Sequence, residues 1–87
     1  MATEQDALFL NAAKGDFILA RRPVPRPGQG DLLIKVVAAG LNPIDWKIQV
    51  HGWDFLPEYP AVIGCEGSGI VEAVGEDVLG FVVGDRV

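Results

Sequence analysis

Residues 60–75 read PAVIGCEGSGIVEAVG, and this stretch decides the fold. The apolar run 70–74 is bounded by glycines and predicts a strand. Gly67 and Gly69 lead into that strand, whereas the glycines of a dinucleotide-binding loop open a helix inside a β–α–β unit. These glycines therefore predict tight turns and close backbone packing in a β protein, with no Rossmann domain.

The segments on either side predict further short strands and one helix. Apolar, β-branched runs favour strands, and a proline suits the first turn of a helix. Short strands with frequent Gly and Pro turns indicate a mainly β barrel or sandwich. The predicted strands are 7–10, 16–22, 31–39 and 61–63, one more opens at Arg86-Val87, and the helix runs from Pro43 to about His51.

Composition limits the classes of function. The chain has 87 residues, of which 49% are hydrophobic and 22% charged, which is typical of one small globular domain. A net charge of −5 with dispersed basic residues argues against nucleic-acid binding. No apolar run approaches the roughly 20 residues of a membrane-spanning helix. The acidic amino terminus is unlike a targeting signal, and a lone thiol favours the cytoplasm.

Domain organisation is predicted from where the apolar pattern begins. Residues 1–6 are polar and are expected to fray, and residues 7–87 form one incomplete domain. A strand is just opening where the sequence stops at Val87, and an open sheet edge offers unpaired backbone groups to another chain. The sequence leaves open whether this is a fragment, a naturally short protein or a remnant without function.

Three motifs together carry a family resemblance. They are GLNPIDWK at 40–47, the 60–75 stretch, and GFVVGDRV at 80–87. In order and spacing they resemble the amino-terminal GroES-like domain of medium-chain dehydrogenases and reductases, over about residues 7–87. The NPIDWK form is most similar to fungal trans-enoyl reductases and related quinone oxidoreductases. The resemblance implies a partial GroES-like barrel with one short helix, and NADPH as the cofactor of full-length members.

The same resemblance implies a chain that needs no zinc. Zinc-dependent members carry a cysteine ligand at the position of Asn42 and a histidine ligand at the position of Cys65. An asparagine amide is a poor zinc ligand, and a catalytic site needs three protein ligands. We therefore expect no metal site.

Asn42 and Lys47 are the candidate site residues. The resemblance implies that Asn42 faces the nicotinamide, and that Lys47 reaches a phosphate, the ribose or a substrate oxygen. Both are therefore candidates for cofactor binding, and Lys47 is also the candidate catalytic residue. The same residues are typical of a helix end, where Asn42 caps the helix and Lys47 is solvated. The sequence leaves both interpretations open.

Four other residues are expected to have structural roles. Asp45 should accept a hydrogen bond from nearby backbone. Trp46 and Trp53 are expected in the core, although lining a substrate cleft is the alternative. Cys65 is expected to be a buried, inert thiol.

Two functional hypotheses follow. In the first, the chain is the amino-terminal catalytic-domain portion of an NADPH-dependent enoyl or quinone reductase, and by itself it is inactive and binds no cofactor. In the second, it is a free-standing GroES-like interaction module that self-associates or pairs strands with a partner. Neither hypothesis involves nucleic acid or a membrane, and whether the chain alone is an enzyme stays open.

Overall fold

The computed structural model describes residues 3–53, 56 and 58–87. Its elements are mostly short strands, and the prediction of a mainly β fold with one short helix is confirmed. In chain order they are β1 (Glu4–Leu10), β2 (Phe17–Pro23), β3 (Leu32–Ala38), α1 (Pro43–His51), β4 (Ala61–Val62) and β5 (Ser68–Val74).

The chain forms two compact units. The first is Met1–Val24 with Leu41–Cys65, and the second is Pro25–Gly40 with Glu66–Val87. The first unit therefore holds β1, β2, α1 and β4, and the second holds β3 and β5. That residues 7–87 make one incomplete domain stays a prediction.

The first unit is built on an antiparallel sheet in the order β2-β1-β4. Leu10 lies on the central strand opposite both Phe17 and Ala61, which explains why it has no exposed surface. The turn between β1 and β2 is closed by Asn11, whose Oδ1 accepts a hydrogen bond from the backbone N–H of Asp16 at 2.9 Å.

The predicted fraying of residues 1–6 is wrong for the last three of them. β1 begins at Glu4, and Glu4 lies opposite Pro23 in the ladder with β2. Arg21 reaches back across the strands, with its Nη1 at 3.0 Å from Asp6 Oδ1 and its Nε at 3.8 Å from Glu4 Oε2. These residues are polar and yet ordered, because they form the exposed end of a strand that pairs with β2. The ion pairs at this exposed end add little stability.

The second unit is built on the antiparallel pair β3 and β5. The other side of β5 pairs with the end of the chain, since Gly69 N–H donates to Val87 O at 2.9 Å and Val87 N–H donates back to Gly69 O at 3.0 Å. Where a strand was predicted to open at Arg86-Val87, Arg86 forms an isolated antiparallel bridge with Ile70. A side chain at Gly69 would collide with the carbonyl oxygen of Lys35, so this position requires glycine.

The buried core is small among the described residues. Its hydrophobic members are Leu10, Ile48 and Val71. The prediction that Trp46 and Trp53 lie in the core is wrong, because they are 51% and 40% exposed. No helix in the described ranges is long and apolar enough to cross a membrane.

Candidate functional site

The start of α1 is fixed by backbone hydrogen bonds. Asn42 is the N-cap residue, with the extended backbone that a following proline imposes, and Pro43 occupies the first helical turn. Asp45 Oδ2 accepts the backbone N–H of Asn42 at 2.9 Å, and Asp45 N–H donates to the Asn42 carbonyl, also at 2.9 Å. The predicted backbone role of Asp45 is confirmed, and it satisfies donors that a helix start would leave unpaired.

The side chain of Asn42 points to Cys65. Its Nδ2 donates to Cys65 Sγ over 3.7 Å, joining two residues 23 positions apart in the first unit. Cys65 is exposed, so the expectation of a buried thiol is wrong. The residue lies in the loop between β4 and β5, where no sheet ladder covers it. The result is an accessible thiol held beside a primary amide.

The second oxygen of Asp45 has open acceptor capacity. Within residues 3–53, 56 and 58–87, Asp45 Oδ1 is buried and accepts no hydrogen bond. A carboxylate oxygen only accepts, and leaving it unpaired in a buried position is unfavourable. A hydrogen-bond donor placed against this oxygen would therefore be stabilised.

The exposed surface of α1 carries an aromatic and basic group, which consists of Trp46 and Lys47 with His51 from the last turn. The ammonium of Lys47 lies 5.7 Å from the ring centroid of Trp46, within the range of a cation–π contact. The ring of His51 also contacts the ring of Trp46 at a tilt, with the ring centroids 6.4 Å apart and the ring planes 49° apart. Because α1 buries Ile48, the neighbouring Trp46 is turned toward solvent.

The structure brings together only some of the predicted residues. Asn42 contacts Cys65, and these are the two positions at which zinc-dependent members carry ligands according to the resemblance. Lys47 lies over Trp46 instead. The cluster of Trp46, Lys47 and His51 was not foreseen. The spacing of these residues gives no signal for it, because side chains on a helix meet most often at three or four positions apart.

The side-chain groups that meet at the start of α1 are poorly suited to bind a metal ion. Asn42 presents an amide N–H to the sulfur of Cys65, and an N–H group is a donor and not a metal ligand. In the described part of the chain, no group of three or more His, Cys, Asp or Glu side chains is arranged to hold a metal ion.

Known proteins are similar to this chain in sequence and in fold. The alcohol dehydrogenase GroES-like domain family matches residues 28–87. A trans-enoyl reductase of Aspergillus terreus is 40% identical over 80 residues, covering 92% of this chain and 26% of its own length. A quinone oxidoreductase of Sus scrofa is 45% identical over 64 residues, covering 74% of this chain and 20% of its own length.

Solved structures agree on the fold. The crystal structure of the human synaptic vesicle membrane protein VAT-1 homolog-like protein superimposes with a TM-score of 0.86 at 42% identity, covering 97% of this chain and 28% of that one. This chain belongs to the alcohol dehydrogenase GroES-like domain family, within the medium-chain dehydrogenases and reductases. Its relatives include oxidoreductases named trans-enoyl reductase and quinone oxidoreductase. The chain spans about a quarter of the length of the relatives it matches.

Proposed function

We propose that this chain is the amino-terminal catalytic-domain portion of a zinc-independent, NADPH-dependent enoyl or quinone reductase, and that it is inactive alone. The observation that carries the proposal is the contact between Asn42 Nδ2 and Cys65 Sγ at 3.7 Å. The family resemblance places metal ligands of the zinc-dependent members at these two positions. In this chain the two positions hold an amide and a thiol, and the amide of Asn42 donates a hydrogen bond to the thiol of Cys65.

The chemistry of this pair favours a reaction without zinc. Zinc sites in proteins use thiolate, imidazole or carboxylate ligands, and a catalytic site uses three of them. Cys65 supplies one such group, and the nitrogen that faces it carries hydrogens and no lone pair for a metal. Polarisation of a substrate carbonyl would then depend on hydrogen-bond donors and charge.

Lys47 is the residue to supply that charge. Its exposed ammonium is a compact cation on a flexible stem and can approach an anionic or carbonyl oxygen. In the absence of a ligand, a cation–π contact holds the ammonium over the ring of Trp46. These groups fit a phosphate-bearing cofactor. NADPH, when bound, supplies the hydride, while Lys47 and Asn42 orient the reacting groups.

The topology of the described residues supports the proposed inactivity of the chain alone. The strand pairs in the described ranges are antiparallel, whereas dinucleotide-binding domains are built from parallel β–α–β units. We therefore expect the purified chain neither to quench nor to shift NADPH fluorescence. Micromolar binding of NADPH by this chain would contradict the proposal.

A chimera tests the reductase role itself. Residues 1–87 would replace the corresponding segment of the Sus scrofa quinone oxidoreductase, and NADPH oxidation would be followed with a quinone as acceptor. The expected result is turnover by the chimera and none by the chain. In the chimera, Lys47→Ala should lower kcat/KM by about tenfold, the loss expected for one charged contact, while Lys47→Arg retains part of it. Equal activity in all three chimeras would contradict the role of Lys47.

A further inference from the structure

Helix α1 buries little of its own surface. The structure describes all of the residues of α1, and Ile48 is the buried one among them. A single buried side chain holds a helix against a core but does not stop it from turning about its own axis. A second contact is therefore needed to fix the direction in which the exposed side chains of α1 point.

The turn between β1 and β2 supplies a second contact. Gln49 Nε2 donates a part-buried hydrogen bond to the Gly15 carbonyl oxygen at 3.1 Å, across 34 positions of the chain. The side chain of Lys14 lies beside Gly52, the C-cap residue of α1, where an added Cβ would come within 3.7 Å of Lys14 Cε. The end of α1 and this turn thus touch within the first unit.

The turn presents Gly15 as a fixed acceptor. Gly15 N–H donates to the Ala12 carbonyl oxygen at 2.9 Å, and Asn11 N–H donates to the Asp16 carbonyl oxygen at 3.0 Å. A Cβ at Gly15 would collide with Asn11 Oδ1 and with the Ala12 carbonyl oxygen, so the close approach of these groups requires glycine. A turn closed in this way gives Gln49 a rigid partner.

The hydrogen bond of Gln49 lies on the side of α1 opposite Lys47. Successive residues of an α-helix are about 100° apart around its axis, so Gln49 and Lys47 are separated by about 200°. The burial of the two residues agrees, since Gln49 is half-buried and Lys47 is exposed. A rotation of α1 that broke the hydrogen bond of Gln49 would swing the ammonium of Lys47 through the same angle.

We propose that Gln49 is a positioning residue of the proposed reductase. Its hydrogen bond to Gly15 fixes the rotation of α1, and this rotation sets the direction from which Lys47 approaches an oxygen of the cofactor or the substrate. Gln49 acts through Lys47 and not by contact with either ligand. The inference rests on the proposed function and assigns to the turn between β1 and β2 a part in it.

The chimera with the Sus scrofa quinone oxidoreductase tests this role. Gln49→Met removes the donor and keeps a long side chain of similar helix propensity. It should lower kcat/KM about threefold, which is less than the loss from Lys47→Ala, because the ammonium is misplaced and not removed. Gln49→Lys keeps a donor at this position and should retain most of the activity.

Gln29→Met is the matched control. It also removes a glutamine donor, since Gln29 Nε2 donates to Asp77 Oδ2 at 2.6 Å, but both of these residues belong to the second unit. The activity of the chimera should not change. A loss as large as that of Gln49→Met would overturn the specific role of Gln49.

A double-mutant cycle separates positioning from a general loss of structure. In the Lys47→Ala background, Gln49→Met should cause no further loss, because the group that it positions is absent. An equal loss in both backgrounds overturns the proposal, and so does full activity of Gln49→Met alone. A chimera without turnover, or one indifferent to Lys47→Ala, contradicts the proposed function instead, and the inference falls with it.

Amide hydrogen exchange in the chain alone measures the anchoring of α1 without the chimera. Gln49→Met should raise the exchange rates of the backbone amides in the last turn of α1 at least about threefold, because that turn loses a contact with the rest of its unit. Gln29→Met should leave these rates unchanged. Unaltered exchange in α1 of the Gln49→Met chain overturns the proposal.

Discussion

The start of α1 and its exposed surface are held in different ways. At the start, Asn42 and Asp45 exchange backbone-directed hydrogen bonds of 2.9 Å, and part of Asp45 is buried. On the exposed surface, Lys47 and His51 contact the ring of Trp46. The comparison indicates that the Asn42–Cys65 pair has a rigid support, whereas Lys47 can move away from Trp46 when a ligand binds.

Removing the carboxylate at the helix start should have the largest effect on stability. Asp45→Ala leaves the backbone N–H of Asn42 without its acceptor and is expected to lower the free energy of unfolding by about 2 kcal/mol, measured by urea denaturation. Asp45→Asn is the matched control, because it keeps an acceptor oxygen, and it should lose about half as much. Equal stability of wild type and Asp45→Ala would contradict the stabilising role of Asp45 at the helix start.

Removing the aromatic ring on the exposed surface of α1 should have a smaller effect. Trp46→Ala is expected to lower the free energy of unfolding by about 1 kcal/mol or less, because half of the side chain is already exposed and an exposed cation–π contact is weak. Trp46→Phe keeps a ring beneath Lys47 and serves as the control. A loss of stability larger than that of Asp45→Ala would reverse the ranking of these two regions of α1.

Breaking the amide–thiol contact should have the smallest effect. Asn42→Ser keeps a good cap residue and removes the amide donor to Cys65, so the expected change in unfolding free energy is about 0.5 kcal/mol or less. The thiol of native Cys65 should react fully with a chromogenic disulfide reagent without denaturant in both proteins, because it is exposed. Reaction only after unfolding would contradict that exposure.

Local sequence signals predicted the backbone well. Pro43 indicated where α1 begins and Gly52 where it ends. At Arg86, where a strand was predicted to open, the structure has an isolated bridge to Ile70. These features depend on the conformational preferences of single residues, and those preferences follow from the residue type alone.

Burial was predicted poorly, for a physical reason. Trp46 and Cys65 were expected to be buried because their residue types usually are, yet both are exposed. Burial depends on which surfaces pack together, and no local pattern specifies that. The strand at Glu4 was missed similarly, because only the pairing with β2 shows that its polar residues are ordered. The roles of Asn42 and Lys47 at a cofactor stay predictions.

Zinc affinity is the measurement that tests the central claim most directly. Competition with a chromogenic chelator would compare the wild-type chain with the double variant Asn42→Cys and Cys65→His, which restores both ligand types at the paired positions. We expect no stoichiometric zinc binding by the wild-type chain. The variant should bind zinc at least about tenfold more tightly, because thiolate and imidazole replace an amide and a single thiol. Tight, stoichiometric zinc binding by the wild-type chain through Cys65 would contradict it.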